Sequence, residues 1–457
     1  MKKRFFVGLL AILMAFQVAL VGCGGDVSSN DDGSGSNAAT SFVTVWIHKS
    51  KSDDEGKIYA LLCDQFNAAG YKTADGKKDL KMKIEYKGTP ETLANAISSE
   101  MLTGSLPDII ATDSTDYAAY AGEGLIQPIT SYVTETKKAE YLQSIIDTCT
   151  VKGELYGLCG QEGPAGLYYN KNMVTKAVLT EAGLSDYGTV ENPWSWRDLN
   201  KVLKVLRKYD TSSNKYPSQI DMHWGFSGDI GKMWLYSCLV YSAGGSFVEN
   251  EVIDGYLNSD KSIAGMSMLE LVYEKVNGER LAYTGSNDDA FAQEVVPFSI
   301  YGAWDILKIN KNYEEIQDHY GIMPIPVYED AQGNKGEVAS PCGSVGFAVT
   351  KDSRKVADAV TVIEYLTSDE SAQMVFDGLG AMPAKVNVIN DNDEFNEDGA
   401  WKDLKDTLTY AAPRPKLVKF PQLATAYADI IEYIEAMSLD SSYNLKQYAN
   451  NKVAGIL

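Results

Sequence analysis

The stretch Val151–Lys171, VKGELYGLCGQEGPAGLYYNK, constrains what this chain can fold into more than any other. It starts as a short strand with a Gly153 turn (LYGL), passes through Gly160, Gly163, Pro164 and Gly166, and resumes as a second strand, LYYNK, before a helix. Glycine permits backbone geometries and close approaches that other residues resist, and proline has no N–H for a central ladder. A strand broken and restarted in this way is a crossover, where two lobes meet. On spacing alone the alternative of an ordinary loop inside one domain stays open, because glycine-rich interruptions are common in loops. A second stretch of the same character, Val338–Thr350 (VASPCGSVGFAVT), bears on the choice. Two separate crossovers imply that the chain leaves a first lobe and later returns to it.

Those residues resemble the extracellular solute-binding proteins of ABC importers, in the carbohydrate-binding branch related to maltose-binding protein. GELYGL followed by LYYNK is similar to that family's strand, crossover and strand, in which G-x-L-Y-G precedes an apolar strand ending in YYNK. The resemblance extends over nearly the whole chain after its leader. It implies an α/β, two-lobed periplasmic-binding-protein (type II) fold, each lobe a mostly parallel sheet flanked by helices, with a ligand cleft between the lobes.

Residues 1–22 read as a lipoprotein signal peptide. Lys2, Lys3 and Arg4 form a positive n-region, and Phe5–Leu20 is an apolar run a little short for a membrane span. The sequence LVGC at Leu20–Cys23 is similar to a lipobox, in which Cys23 becomes the lipidated N-terminus. Residues 23–40 are rich in Gly, Ser, Asn and Asp, cannot bury a core and read as a flexible tether. Roughly 415 residues remain, which suits two lobes of ordinary domain size. The boundaries expected are 41–160 plus 345–372 for the N-terminal lobe and 161–344 plus 373–457 for the C-terminal lobe.

The formal charge of −21 becomes about −24 once the three basic leader residues are subtracted. That argues against nucleic acid and against docking on an anionic lipid surface. The other five cysteines, Cys63, Cys149, Cys159, Cys238 and Cys342, form no CxxC and no Cys/His cluster. Five is odd, so at least one thiol is free, which suits a low-oxygen or reducing habitat. A Cys149–Cys159 bridge is conceivable, with buried apolar thiols as the preferred reading. His48, His223 and His319 stand at no ligand spacing, so neither a metal nor any other cofactor is expected.

The body opens with FVTVWI, a buried-strand pattern. A helix follows with Ser52 and Glu55 as its capping box and with Ile58, Leu61, Leu62 and Phe66 at helical spacing. Next come the strand LKMKIEY, a helix beginning at Pro90, and the strand PDIIAT. This β-α-β-α-β order means a parallel sheet, and in such sheets ligands bind beyond the carboxyl ends of the strands. That rule nominates His48 and Lys49, Thr89 and Glu91, and Asp113 and Thr115. LPDIIATDSTDYAAYAGEGLIQPI is similar to the family's PD-apolar block, in which a polar residue a few places on bonds a sugar hydroxyl. Asp113 matches it. Maltose-type members carry an aromatic and a basic residue in this loop, where this chain has Thr112 and Asp116, a departure that weakens maltodextrin as the implied ligand.

Beyond the first crossover, PWSWRDLNKVLKVLRKYD reads as a helix capped by Ser195 and Asp198, with Leu199, Val202, Leu203 and Leu206 inward and Trp196 packing. Trp224 and Trp234 are candidates either for stacking on a ligand or for the core, because aromatics bury themselves for area alone. In FSIYGAWDILKI a strand ends at Ile300 and Tyr301, Gly302 turns the chain, and Trp304 opens a helix. This is similar to the family's G-x-W motif, whose tryptophan stacks on a pyranose; the alternative for Trp304 is a core residue. By the same resemblance Ser344 lies near the cleft, Arg414 matches a cleft-reaching position, and Tyr427 falls where maltose-type members have a stacking tryptophan.

The function expected is a monomeric, extracytoplasmic solute-binding lipoprotein on the outer face of the cell membrane. It captures a sugar, an oligosaccharide by its aromatics, and delivers it to ABC permease subunits without being an enzyme. Lys49 and Arg414 keep an acidic sugar or a phosphorylated polyol open as ligand. The alternative class is a lipid-anchored glycoside hydrolase, which needs two carboxylates at a set separation; Glu162 with Asp305 is the pair on offer. A Cys-His hydrolase built on Cys159 or Cys342 is weaker, and the chain has no P-loop, no GxGxxG after a strand and no GxSxG.

Overall fold

Valine, tryptophan and isoleucine along Thr40–Ile47 (β1) bury Val43, Val45, Trp46 and Ile47, and the strand runs parallel to Asp79–Tyr86 (β2) from Thr40↔Asp79 to Ile47↔Tyr86. The computed structural model of the protein describes residues 40–209, 218–222, 228–283 and 285–456. The leader, Cys23, the tether up to residue 39, His223 and Trp224 lie outside the described residues.

The helix between β1 and β2 is Asp54–Ala68 (α1). Its cap is Asp53, whose carboxylate accepts from Gly56 N at 2.6 Å, and not Ser52. The Ser52 hydroxyl meets Ser50 Oγ instead, and Glu55 is drawn to Lys49 at 2.6 Å, so the expected capping box does not form. The buried face of α1 is Tyr59, Leu62 and Phe66, while Leu61, expected inward, is exposed. Pro90–Met101 (α2) follows β2 with Thr89 and Thr92 as a true capping box. Ile109–Asp113 (β3) then pairs parallel with β1.

Gln143–Cys149 (α3) leads to Gly157–Leu158 (β4), and beyond the crossing the chain enters Ala165–Asn170 (β5), buried along its length. Trp196–Leu206 (α4) starts at Ser195, which exchanges hydrogen bonds with Asp198 as the sequence predicts. Ile220–Asp221 (β6), Asp229–Ser242 (α5), Ala282–Tyr283 (β7), Phe298–Gly302 (β8), Trp304–Asn312 (α6) and Tyr320–Met323 (β9) complete the second lobe's sheet and its flanking helices. Val345–Val349 (β10) returns to the first sheet, followed by Val356–Leu366 (α7), Asp369–Leu379 (α8) and, later, Phe420–Met437 (α9).

Both sheets have five strands, in the orders β2-β1-β3-β10-β4 and β7-β6-β8-β5-β9. In each, three neighbouring strands are parallel, and the strand that enters from the other lobe is antiparallel to its neighbours. The reason is geometric. A chain arriving from the cleft begins its strand at the carboxyl ends of those already there: Ala165 opposite Gly302, and Val345 opposite Asp113. The result is a two-lobed, type II periplasmic-binding-protein fold.

The chain ties the lobes together at more than the two crossovers read from the sequence. Residues 382–383 pair antiparallel with 161–162, and 340–341 pair parallel with 411–412. Ala384 N donates to Gly160 O and Ala384 O accepts from Leu142 N, both reaching into the first lobe, and Ala384 is part of that lobe's core. The buried Lys385 ammonium meets Glu140 at 2.6 Å and lies over the Tyr141 ring. Lys416 Nζ donates to Thr150 O at 3.0 Å. Residues 384–386 and 416 therefore bind to the first lobe, although the whole of 373–457 reads from sequence as second lobe. Such contacts between distant segments leave no periodic trace.

Candidate functional site

The cleft lies where the carboxyl ends of the parallel strands of both sheets converge. On the first lobe β3 stops at Asp113, whose Oδ1 accepts from Thr115 N at 3.0 Å and Thr115 Oγ1 at 2.8 Å. The same oxygen takes Arg414 Nη2 at 2.7 Å, so an ion pair joins the end of β3 to the segment returning from residues 411–412. Arg414 is buried and its Nε has no partner among the described residues. Asp116 sits behind the pair, accepting from Thr112 Oγ1 at 2.7 Å. Burial, with the Asp113 charge next to it, pushes its carboxyl up to about 6.

The two crossings meet here. Gly343 has φ +106°, and a Cβ on it would stand 2.8 Å from Arg414 Nη2, so both its backbone and its neighbour require glycine. Glu162 lies between the crossings with Oε1 accepting from Gly163 N at 2.8 Å and Gly343 N at 2.5 Å, and Oε2 accepting from Ser144 Oγ at 2.6 Å. Ser344 O accepts from Ser114 N at 3.0 Å.

On the second lobe Trp234 of α5 donates its indole N–H to Gly163 O at 3.2 Å. Its ring centroid is 5.8 Å from that of Trp304, tilted by 32°. A Cβ on Gly302 would collide with the Trp304 indole, so the glycine that ends β8 lets the ring lie against its backbone. Gly380, the left-handed cap of α8, packs under the start of α6 with its Cβ position 3.5 Å from Trp304 Cα. Asp305, next along, accepts from Gly302 N at 3.2 Å, and burial pushes its carboxyl up to about 7 against the pull of Lys308. At the end of β6 the buried Asp221 accepts from Ser299 Oγ at 3.3 Å and Tyr301 OH at 3.4 Å.

The model of the family described as "Bacterial extracellular solute-binding protein" matches residues 54–373, about seven-tenths of the chain. The chain belongs to that family. Among curated relatives, the galactooligosaccharide-binding protein of Bacillus subtilis is 19% identical, covering 98% of this chain and 97% of its own. The maltotriose-binding protein of Pyrococcus abyssi is 21% identical over 78% of this chain and 69% of its own. Among solved structures, the cyclic α-maltosyl-1,6-maltose binding protein of Arthrobacter globiformis superposes with a TM-score of 0.71 at 16% identity, covering 92% of this chain and 99% of that one.

In this solute-binding protein the residues read from sequence divide into three groups. Asp113 ends β3 and pairs with the buried Arg414, Ser344 directly precedes β10, Trp304 and Asp305 open α6 right after β8, and Trp234 meets Trp304 from within α5. Lys49 follows β1 but is held by Glu55; Glu91 is exposed on the first turn of α2; and Thr115 is buried with its hydroxyl spent on Asp113. Two assignments are corrected. Tyr427 is buried on α9, its hydroxyl donating to Tyr236 O at 2.6 Å and its ring 5.0 Å from Phe247, so it is core and not a stacking platform. Glu162 has both oxygens taken by protein donors and holds the crossings together, which leaves it neither a ligand contact nor half of a hydrolytic pair. Asp116, Asp221 and Tyr301 were not named from sequence as site residues. The rule that strand carboxyl ends face the cleft covers Asp221 and Tyr301 once β6 and β8 are known, but two-residue β6 has no sequence signal of its own.

Proposed function

We propose that the chain binds a carbohydrate, an oligosaccharide, between its lobes and hands the closed form to the transmembrane subunits of an ABC importer. The observation that carries this reading is the Trp304 indole lying on the Gly302 backbone beside Trp234 on the second lobe, together with the Asp113–Arg414 pair where β3 of the first lobe ends. Sugar C–H faces lie flat on an aromatic surface while hydroxyls seek carboxylates and guanidinium groups, and here the tryptophans belong to the second lobe and the Asp113 carboxylate to the first. A ligand that touches both lobes favours the closed state by its differential contacts, which is what hinge closure requires. The names of the curated relatives, galactooligosaccharide- and maltotriose-binding, support the same ligand class. The chain acts as a monomer, held at the outer face of the cell membrane by a lipid on Cys23; a Cys23→Ala variant that is released into the medium supports this, and one that stays membrane-bound refutes it.

The test of the ligand is a thermal-shift and calorimetric screen against neutral mono- and oligosaccharides, acidic sugars, polyols, amino acids and peptides, since a ligand of the folded state alone raises the melting temperature. A rise with one sugar class, weakened at least about tenfold in affinity by Trp304→Ala, is expected, because stacking contributes roughly 1.4 kcal/mol or more. A rise with peptides or amino acids and none with sugars overturns the carbohydrate reading.

A further inference from the structure

Two thiols of the first lobe lie in contact at a place that ligand capture does not use. Cys149 is the last residue of α3 and Cys159 directly follows β4. Between them residues 150–151 and 154–155 pair as a hairpin, and Tyr156 N donates to Cys149 O at 3.0 Å, which folds the chain back on itself. The two Sγ atoms are thereby 3.6 Å apart, and neither residue has exposed surface. The remaining body cysteines sit elsewhere: Cys63 meets Met82 O on the edge strand β2, Cys238 donates to Leu235 O within α5, and Cys342 is in the second crossing.

We propose that Cys149 and Cys159 are a disulfide-forming pair, whose bond ties the end of α3 to β4 at the foot of the first crossing. A disulfide needs sulfurs about 2.05 Å apart, so closure takes a movement of roughly 1.5 Å, within reach of side-chain rotation and small backbone shifts. One thiolate attacks a small-molecule disulfide such as oxidised glutathione, releasing one glutathione thiolate and leaving a mixed disulfide. The second cysteine then displaces the other glutathione. Overall two cysteine S–H bonds and the S–S bond of the oxidant are broken, one cysteine S–S bond forms, and the two electrons and two protons the cysteines give up convert the oxidant into two glutathione thiols.

The surroundings decide when this happens. The adjacent Cys149 thiol and burial push Cys159 well above the usual thiol range, so the thiolate needed for exchange is scarce in the folded lobe. The bond therefore forms while the first lobe is still packing, and once made it is shielded from reductants. Both cysteines belong to one lobe, so the bond staples that lobe without restraining closure on a ligand.

The full, unlipidated chain is unfolded and refolded with a reduced and oxidised glutathione mixture, then alkylated under denaturing conditions and weighed. Of its six cysteines, the four left after subtracting the bonded pair take label. Proteolytic mapping finds the Cys149 and Cys159 peptides joined, about 2 Da below the sum of the free peptides. Refolding under reductant gives a form with all six labelled that melts at a lower temperature. Cys149→Ser abolishes the joined peptide. Labelling of all six cysteines after oxidative refolding, or a bond mapped to any other pair, overturns the proposal, and because the mapping is done on the unaltered chain it does not depend on the variant folding.

Discussion

Glu162 shows how one side chain can be misread from its neighbours in sequence. It sits among glycines in the first crossing, where a carboxylate looks free for a ligand, yet it accepts three hydrogen bonds from Ser144, Gly163 and Gly343. Glu162→Ala strands a buried and a half-buried backbone N–H and a hydroxyl, and is expected to destabilise the fold by about 2–4 kcal/mol in urea unfolding. A loss under about 0.5 kcal/mol would mean that the crossings hold without it. The turn from Gly302 into the helix opened by Trp304 was legible because the two residues are two apart and the contact is local. Tyr427 was not, because an aromatic on a helix carries no mark in sequence of the side on which its neighbours lie; the packing of α9 on α5 puts it inside.

At the scale of elements, the helices whose caps and periodicity agree were readable, as with Ser195 and Asp198 at α4 or Pro90 at the start of α2, where Thr89, nominated from sequence for the ligand, is instead the cap. The cap of α1 moved by one residue because Glu55 had a stronger partner in Lys49, a choice that depends on where β1 delivers that lysine. The second crossing is the element most exposed to substitution. Gly343→Ala has to place a Cβ at φ +106° and 2.8 Å from the Arg414 guanidinium. A cost of roughly 1–3 kcal/mol is expected, with a lower melting temperature and weaker ligand binding together, since the Asp113–Arg414 pair must shift. Wild-type stability and affinity in this variant would show that the crossing yields freely.

For the whole molecule, stability against pH should show one buried carboxyl in each lobe. Asp116 on the first lobe and Asp305 on the second have carboxyls raised to about 6 and about 7 from 3.8. A carboxyl raised on folding contributes stability that is complete below its unfolded value near 4 and is lost as pH climbs through the folded value. These two groups therefore weaken the fold between about pH 4 and pH 7, by an amount on the order of a few kcal/mol. Asp198, held down to about 2 by Lys335 and Lys201 despite its burial, acts the other way, its contribution being lost as pH falls from about 4 towards 2. Urea unfolding of Asp116→Asn/Asp305→Asn at pH 4 and pH 8 is expected to show a gain over the wild type that is larger at pH 8. An equal effect at both values would mean that neither carboxyl is perturbed.

The sequence by itself determined the alternation of strands and helices, the crossovers and the G-x-W turn. Each is written in the spacing of a few consecutive residues, where glycine, proline and apolar periodicity act directly on the backbone. Only the tertiary structure decided which distant residues meet. The Asp113–Arg414 pair joins positions 301 residues apart, Glu162 meets its second donor 181 residues on, and residues 384–386 return to the first lobe. Burial and charge pairing depend on what the fold brings alongside, and that is settled only when all the strands have found their places.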